Sequence, residues 1–500
     1  MEGWIWALTV ILLGGLMTIF YDFWKNLYFK SDVMNWPPGP KKLPIIGNLH
    51  QLNSGGELVH VNLAKLAQEH GSMMTVWFGS SGPTIIVSNH ELAWEVLVNK
   101  ASDFSSRTLP YMSKLTSADW QTLATSNLGP YWQKLRKGLH NTTLNPHTMS
   151  AQTRLQEADV SNMLTSLRIE ASSNDGVVKP LLHFRRLTIQ LIGRLCFGPQ
   201  FNDDIFVNSL DDAIEEVIRL SGHARLVDVF ELSRYIPGLN LRFEEASRLK
   251  HKIEQLFLPY IANHKFSFQT CYLHFLLSQN FSKEIIIFNL FEMFLLAVDS
   301  TSTATAWALT FLIHDQQIQQ KLYEEVQRET GSEALQAEKV NKLLYLHAVV
   351  KETMRMRPIA PLAVPHRAVR DSKLMGTKIV EGTPVMVNLY AVHHDPSIWV
   401  EPYRFMPDRF MTSSVDKGAE SDVSLVRNME RSFLPFGAGR RICAGMDLAK
   451  LQVAFTLASL INNFHWSSVA EDQLPDLSED LTFVLRMKTP LMARIISRSS

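Results

Sequence analysis

A glycine-rich loop closing on one cysteine constrains this chain more than any other feature. Residues Phe433 to Gly445 read Phe-Leu-Pro-Phe-Gly-Ala-Gly-Arg-Arg-Ile-Cys-Ala-Gly, and an apolar helix is predicted from Met446. A thiolate needs hydrogen-bond donors, positive potential or a metal to persist near neutral pH. Gly437 and Gly439 let the backbone fold tightly around Cys443. The amino-terminus of the following helix adds positive potential, and Gly445 leaves room for a flat group. Arg441, two residues before the cysteine, can pair with a carboxylate. Two plainer readings stand beside this one: a core cysteine next to a turn, and a nucleophilic cysteine, which wants a partner histidine. The other cysteines, Cys196 and Cys271, are far away in sequence, and no C-x-x-C pair occurs. A disulfide framework, a four-ligand zinc site and covalent c-type haem are therefore not expected. Cys196 and Cys271 read as small buried apolar residues.

Charge excludes one class of partner. Lys plus Arg equals Asp plus Glu, 49 against 49, so no global charge points to nucleic acid. With 46% hydrophobic and 20% charged residues the composition is that of a globular protein. Helical periodicity predicts helices near 58–70, 155–170, 205–221, 244–263, 284–314, 315–329, 340–356 and 445–463. Strands are predicted at Met74–Phe78, Thr84–Val87, Lys378–Val380 and Val385–Asn388. The fold class is mostly α with a small β-sheet subdomain. Pro407 to Phe436 reads as an irregular wrap, the kind of long loop that is often functional.

The amino-terminus reads as an address. Trp4 to Tyr21 carries no charge and is just long enough to cross a bilayer core of ~30 Å. Tyr21, Phe23, Trp24 and Tyr28 suit an interfacial belt. Lys25, Lys30, Lys41 and Lys42 follow, which places the body on the cytoplasmic side. A cleaved signal peptide would want positive charge before the run and small residues after it. Residues 1–30 are thus expected to be one transmembrane anchor, 31–50 a stiff proline-rich hinge containing Trp36-Pro-Pro-Gly-Pro40, and 51–500 the catalytic body.

From Asn289 to Trp307 an apolar helix carries Asp299 in its middle, with five hydroxyl residues between Ser300 and Thr305. Such hydroxyls can bond back to the carbonyl four residues earlier. Glu352 and Arg355 share one face of the 340–356 helix, and Trp132 and Arg136 lie one turn apart.

The spacing F-x-x-G-x-R-x-C-x-G, at Phe436, Gly439, Arg441, Cys443 and Gly445, resembles the haem-binding signature of the cytochrome P-450 family. Phe405-Met-Pro-Asp-Arg409-Phe410 follows Glu352-Thr-Met-Arg355 at the family's spacing, and the likeness covers nearly all of the chain. It implies the cytochrome P-450 fold and haem b (iron protoporphyrin IX), with Cys443 as the axial iron ligand. It also implies a buried network of Glu352, Arg355 and Arg409 behind the cysteine loop. Trp132 and Arg136 would hold a haem propionate, with Arg441 and His366 assisting. In the family the 289–307 helix crosses the oxygen side, with the usual pattern Ala/Gly-Gly-x-Asp/Glu-Thr-Thr/Ser. Here that pattern falls on Leu296 to Thr301, so Ala297 replaces the glycine and Ser300 the threonine. Asp299, Ser300 and Thr301 are the implied catalytic set, since a hydroxyl beside an acid can relay protons to bound dioxygen.

The Asp299–Ser300 pair, the segment from Trp36 to Leu52, the segment from Ala93 to Lys100 and the run Arg441 to Met446 look like one plant subfamily. Its members form methylenedioxy bridges from an aromatic hydroxyl and its ortho methoxy neighbour, on alkaloids, lignans and other phenylpropanoids. The resemblance implies a small aromatic substrate, O2, membrane lipid, and electrons from NADPH through a separate NADPH-cytochrome P-450 reductase, because no dinucleotide or flavin fingerprint occurs. Lys134, Lys137 and Arg440 would receive that reductase. The implied location is the endoplasmic reticulum membrane, single-pass. Candidate wall residues are the 104–128 segment, Leu295, Leu296, Val298, Leu362, Ala363, Val364 and Phe483. Aromatic hydroxylation, O-demethylation, a reductase-independent isomerase or dehydratase, and a non-catalytic membrane haem binder remain open at this point.

Overall fold

The computed structural model describes residues 14–15, 17–21, 36–79, 81–221, 228, 241–263, 271–331, 335–411, 428–470 and 472–498. The helices that build the site are α1 (Val59–His70), α2 (Pro130–Leu139), α3 (Pro146–Ser173), α4 (Pro180–Phe197), α5 (Asp204–Ser221), α6 (Leu241–Ala262), α7 (Tyr272–Ser278), α8 (Lys283–His314), α9 (Gln316–Thr330), α10 (Leu344–Met356) and α11 (Met446–Asn463). The strands are β1 (Met73–Trp77), β2 (Pro83–Val87), β3 (Ser106–Arg107), β4 (Val177–Val178), β5 (His366–Arg367), β6 (Ser372–Leu374), β7 (Thr377–Ile379), β8 (Pro384–Val387), β9 (Phe464–Ser467), β10 (Glu479–Leu481), β11 (Leu485–Met487) and β12 (Ala493–Ser497). The mostly helical reading and each predicted helix hold. Helices α2, α4 and α7 add to that set. Helix α4 is buried on nearly every side, so it lacks a one-sided apolar stripe.

Helix α8 organises the rest. Ser282 caps its start by accepting from the Ile285 N–H, and Asp315 ends it and caps α9 through Gln317 N and Ile318 N. Its 32 residues make a rod of ~48 Å packed against α4, α11, α10 and α6. Among the described residues it is the one helix long and apolar enough to cross a membrane, but two-thirds of its most apolar stretch is buried in the protein. That makes it a core helix. Residues 14–15 and 17–21 are helical; the rest of the expected anchor lies outside the described residues.

The main sheet runs in the order β1-β2-β8-β5-β3, with β2 parallel to β8 and the other pairs antiparallel. Alternation gives it two apolar faces. Met74, Val76 and Ile86 pack with Leu63 of α1, whereas Ile85, Val87, Val385 and Val387 pack with Leu92, Val96 and Phe104.

The proline segment differs from expectation. Its described part, from Trp36 onward, is not a spacer but a strap fastened to β1. Thr75 N donates to Pro38 O at 3.0 Å and Thr75 Oγ1 to Pro37 O at 2.8 Å. Asn48 accepts from Trp77 N and donates to Pro40 O. A Cβ on Gly39 would sit 2.1 Å from Thr75 O, so only glycine lets the strap lie this close. Residues 36–50 therefore belong to the body rather than to a hinge.

Behind the cysteine loop, Glu352 and Arg355 of α10 are fully buried. Arg355 forks onto Glu352, with Nε to Oε2 at 2.7 Å and Nη2 to Oε1 at 2.9 Å. Its Nη1 donates to His393 O and Pro402 O, both at 2.8 Å. Glu352 Oε1 also accepts from Arg409 Nε at 3.0 Å and Met406 N at 2.9 Å. Removing one partner of such a pair leaves the other charge buried and uncompensated. Arg355→Ala is expected to cost about 3–5 kcal/mol in urea denaturation of the holoprotein, and Arg355→Lys should not restore it, because an ammonium lacks the planar fork. A loss below ~1 kcal/mol, the range of a surface pair, would show that the network is not structural.

Candidate active site

The cysteine loop closes on itself before it reaches α11. Gly437 N donates to Leu434 O at 2.9 Å and Cys443 N to Phe436 O at 3.0 Å. Gly437 and Gly439 both have φ +66°. At Gly439 a Cβ would meet Leu97 O at 1.8 Å, so the position demands glycine for conformation and for space. Gly445 is the cap residue of α11, which brings the helix amino-terminus to the sulfur. The loop is tied to the buried network through one imidazole. His393, whose carbonyl is held by Arg355, accepts the Leu434 N–H on Nε2 at 3.0 Å. Burial, followed by the His394 and Arg355 charges, pushes the His393 pKa down to about 3, so it is a neutral acceptor.

Cys443 is exposed to solvent, yet the protein surrounding it pushes its thiol pKa up by desolvation, against the lowering pull of the Gly445 N–H and Arg136. Both observations fit a sulfur at the floor of a concavity. Cys196 and Cys271 are buried, as expected.

Cationic donors converge beside it. Arg441 donates through Nε to Ser105 O at 3.0 Å and through Nη2 to Ser126 O at 2.7 Å, and lies 5.2 Å over the Trp132 ring. Arg107 of β3 donates to Val364 O at 2.7 Å. Arg441 Nη1 and Arg107 Nε are buried with no partner among the described residues. Burial, then the Arg441 charge, lowers Arg107 to about 9, and burial lowers Arg441 to about 10. Arg136 of α2, half-buried, is also lowered by burial and raised by the Cys443 charge. Two buried guanidinium nitrogens without acceptors, next to a desolvated but reachable thiol, suit an anionic, flat, metal-bearing group. Haem, with two propionates and an iron, meets that demand: Cys443 would hold the iron and Arg441, Arg107 and Arg136 the propionates. Metal coordination would also deprotonate a thiol that burial otherwise keeps neutral.

Trp132, expected to hold a propionate, and His366, expected to assist, make other bonds in this structure. The Trp132 indole N–H donates to Leu123 O at 3.1 Å. His366 is held by Phe104 O through Nδ1 at 2.6 Å and faces Arg107 Nη1 through Nε2 at 3.3 Å. Burial, then Arg107, pushes its pKa down to about 3. It is therefore neutral, with Nδ1 donating and Nε2 accepting.

On α8 one stripe escapes burial: Glu292, Met293, Leu296, Ala297 and Ser300. These positions follow helical spacing, so they form the open face of an otherwise enclosed rod. Ser300 lies on it, with Oγ bonded back to Leu296 O at 2.6 Å. Ser302 and Thr305 make the same bond to Val298 O and Thr301 O. Thr301 is buried. Asp299 points away from the stripe into a buried charge cluster. Its Oδ1 pairs with Arg185 of α4 at 3.2 Å and with Arg486 of β11. Arg486 also forks onto Glu215 of α5. Asp299 Oδ2 is buried without a partner, and burial raises the pKa of this carboxyl against the pull of Arg486 and Arg185.

The expected wall is only partly assembled. Leu296 is 40% exposed on the open stripe, but Leu295 and Val298 pack into the helical core, because each residue turns the helix by about 100°. They are corrected from wall to core. Phe483, Leu123, Ala297 and Ala444 lean on the same apolar cluster. Leu362 and Ala363 lean instead on the two faces of the sheet, and Val364 is exposed. Arg107 falls in the 104–128 segment expected as wall but joins the cationic donors instead, and Arg185 and Arg486, which no spacing ties to the site, were not anticipated. Sequence reading also passed over Glu292, whose signal was available: a second acid in the apolar run of α8.

The cytochrome P450 family profile matches residues 37–493. An (S)-canadine synthase of Coptis japonica is 50% identical over 467 residues, 93% of each chain. A cheilanthifoline synthase of Eschscholzia californica is 46% identical over 502 residues, covering 100% of both chains. A pluviatolide synthase of Podophyllum peltatum is 47% identical over 471 residues, 94% of each. A zebrafish cytochrome P450 solved with progesterone shares the fold at TM-score 0.74 and 24% identity, over 88% of this chain and 99% of that one. With Cys443 in a cationic cradle and the match running from the strap to the last strand, the chain belongs to the cytochrome P450 family, as a haem-iron monooxygenase supplied with electrons from NADPH through a reductase.

Proposed function

We propose that this monooxygenase closes a methylenedioxy bridge on an aromatic ring carrying adjacent hydroxyl and methoxy groups, in a plant alkaloid, lignan or other phenylpropanoid. The reading is carried by the subfamily likeness of the strap, the Asp299–Ser300 pair and the cysteine loop. Relatives named as synthases of that subfamily support it. Substrate, O2, NADPH and a proton give the bridged product, NADP+ and two waters. When bound, haem supplies the oxidant that takes hydrogen from the methoxy carbon. The adjacent phenol oxygen then bonds to that carbon, with loss of its proton. The chain must hold the methoxy carbon in place and keep water from diverting it to formaldehyde. Leu296, Ala297 and Phe483 offer apolar surface for this.

Ser300 is the hydroxyl on the open stripe, and Asp299 Oδ2 is the buried oxygen next to it in sequence with no partner. In this reading Asp299 and Ser300 deliver protons together, and Ser300 turns from Leu296 O to pass them on. Thr301, buried one residue on, completes the proposed catalytic set. Exposed Lys134, Lys137 and Arg440 form the face that receives the acidic reductase. Residues 1–30 anchor the body to the endoplasmic reticulum membrane on the cytoplasmic side.

Ser300→Ala should bind haem normally, while product per NADPH falls by up to ~100-fold, the scale of a general-acid contribution, with peroxide rising to match. Unchanged yield per NADPH would remove Ser300 from proton delivery. Substrate labelled at the methyl carbon tests the bridge itself. Product lighter by two hydrogens and retaining the label is expected. Label released as formaldehyde, leaving a catechol, would establish O-demethylation instead.

A further inference from the structure

The second acid of α8 has a job that proton delivery does not use. Glu292 lies eight residues before Ser300, about two turns along the same open stripe. Both of its oxygens are taken by one loop: Thr122 Oγ1 donates to Oε1, and Ala124 N donates to Oε2 at 2.9 Å. That loop crosses from α8 to the cysteine loop. Asn289 Nδ2 and Tyr131 OH hold Gln121 O at 3.2 and 2.7 Å, Trp132 holds Leu123 O, and Arg441 holds Ser126 O. Those grips all reach carbonyls. Glu292 instead accepts a backbone N–H and a hydroxyl.

The loop needs holding. Ala118, Asp119 and Trp120 have φ of +48°, +56° and +63°, three consecutive left-handed residues with side chains. Such a run persists only where its surroundings over-determine it. Glu292 is itself costly to keep: burial raises its pKa to about 7, even with the loop's donors and Arg107 pulling the other way. An acid retained in that setting on an apolar helix points to a role.

We propose that Glu292 is a positioning residue for the oxidation: it latches residues 121–126 to the oxygen-side helix and so keeps the roof between α8 and the cysteine loop closed to water. The latch rests on the reading of the open stripe as the oxygen side, and not on which product forms. Glutamine preserves it, since Oε1 can accept from Ala124 N and Nε2 can donate to the Thr122 oxygen. Alanine removes it. Thr122→Val loosens it from the loop side and leaves Glu292 untouched.

Amide hydrogen exchange of the haem-loaded enzyme, read across residues 117–126, tests the latch whether or not the bridge is the product. Glu292→Ala should speed exchange there by about tenfold or more, the scale of a lost buried hydrogen bond, and Thr122→Val should do so to a smaller degree. Turnover should shift with it: lower kcat with little change in KM, and more NADPH diverted to peroxide. Glu292→Gln should rescue both readouts. Two results would overturn the proposal. One is unchanged exchange in Glu292→Ala and Thr122→Val. The other is Glu292→Gln as damaging to turnover as alanine, with exchange at the wild-type rate, which would make the charge, as a counter-ion for a cationic substrate, the relevant property. If exchange behaves as expected and no methylenedioxy product forms in any variant, the latch stands and the bridge reading fails.

Discussion

The structure depends on a carboxylate and a guanidinium taken wholly out of water. Glu352 and Arg355 satisfy each other through a two-bond fork, and their remaining valences reach outward. Arg355 holds the carbonyls of His393 and Pro402, and Glu352 holds Met406 and Arg409. His393 then accepts the amide of Leu434, the residue from which the cysteine loop departs. A buried ion pair of this kind is weak as a source of net stability, since both charges lose their hydration. Its value here is geometric. It fixes a long irregular segment that has no ladder of its own, and through one neutral imidazole it sets where Cys443 stands.

On the other side of Cys443 the electrostatics are deliberately unbalanced. Arg107, Arg441 and Arg136 gather with few acceptors, and burial lowers the pKa of each. The cost of that desolvation is recovered when an anionic group arrives, which is why the cradle suits haem propionates. Helix α8 has the opposite arrangement. Desolvation raises both of its acids, Glu292 on the open stripe and Asp299 buried in a cluster with Arg185, Arg486, Glu215 and Asp211. That cluster joins α4, α5, α8 and β11, so Asp299 bears on how those elements are held together.

Much of this was legible in the chain, for identifiable reasons. The cysteine loop and the Glu352–Arg355 pair are local patterns, and their spacing survives translation into three dimensions. Long amphipathic helices and β1, β2 and β8 were visible because burial on one face imposes a period. The two-residue strands β3 and β5 were not, since pairing of Arg107 with His366 is decided by residues 259 apart. The same holds for Arg107, Arg185 and Arg486, whose partners come from other elements. Leu295 and Val298 were misplaced because choosing which side of an all-apolar helix faces the cavity needs a tertiary phase that composition does not give. The free indole expected of Trp132 was lost to a loop carbonyl that only folding brings near.

We infer that Cys443 alone would supply the iron ligand, in a loop that presents its sulfur to a cationic cradle. The most direct measurement is the reduced carbon monoxide difference spectrum of the full chain and its three single cysteine-to-alanine variants. The thiolate-ligated band is expected in the wild type, in Cys196→Ala and in Cys271→Ala, and its loss in Cys443→Ala. A band that survives in Cys443→Ala would contradict that assignment.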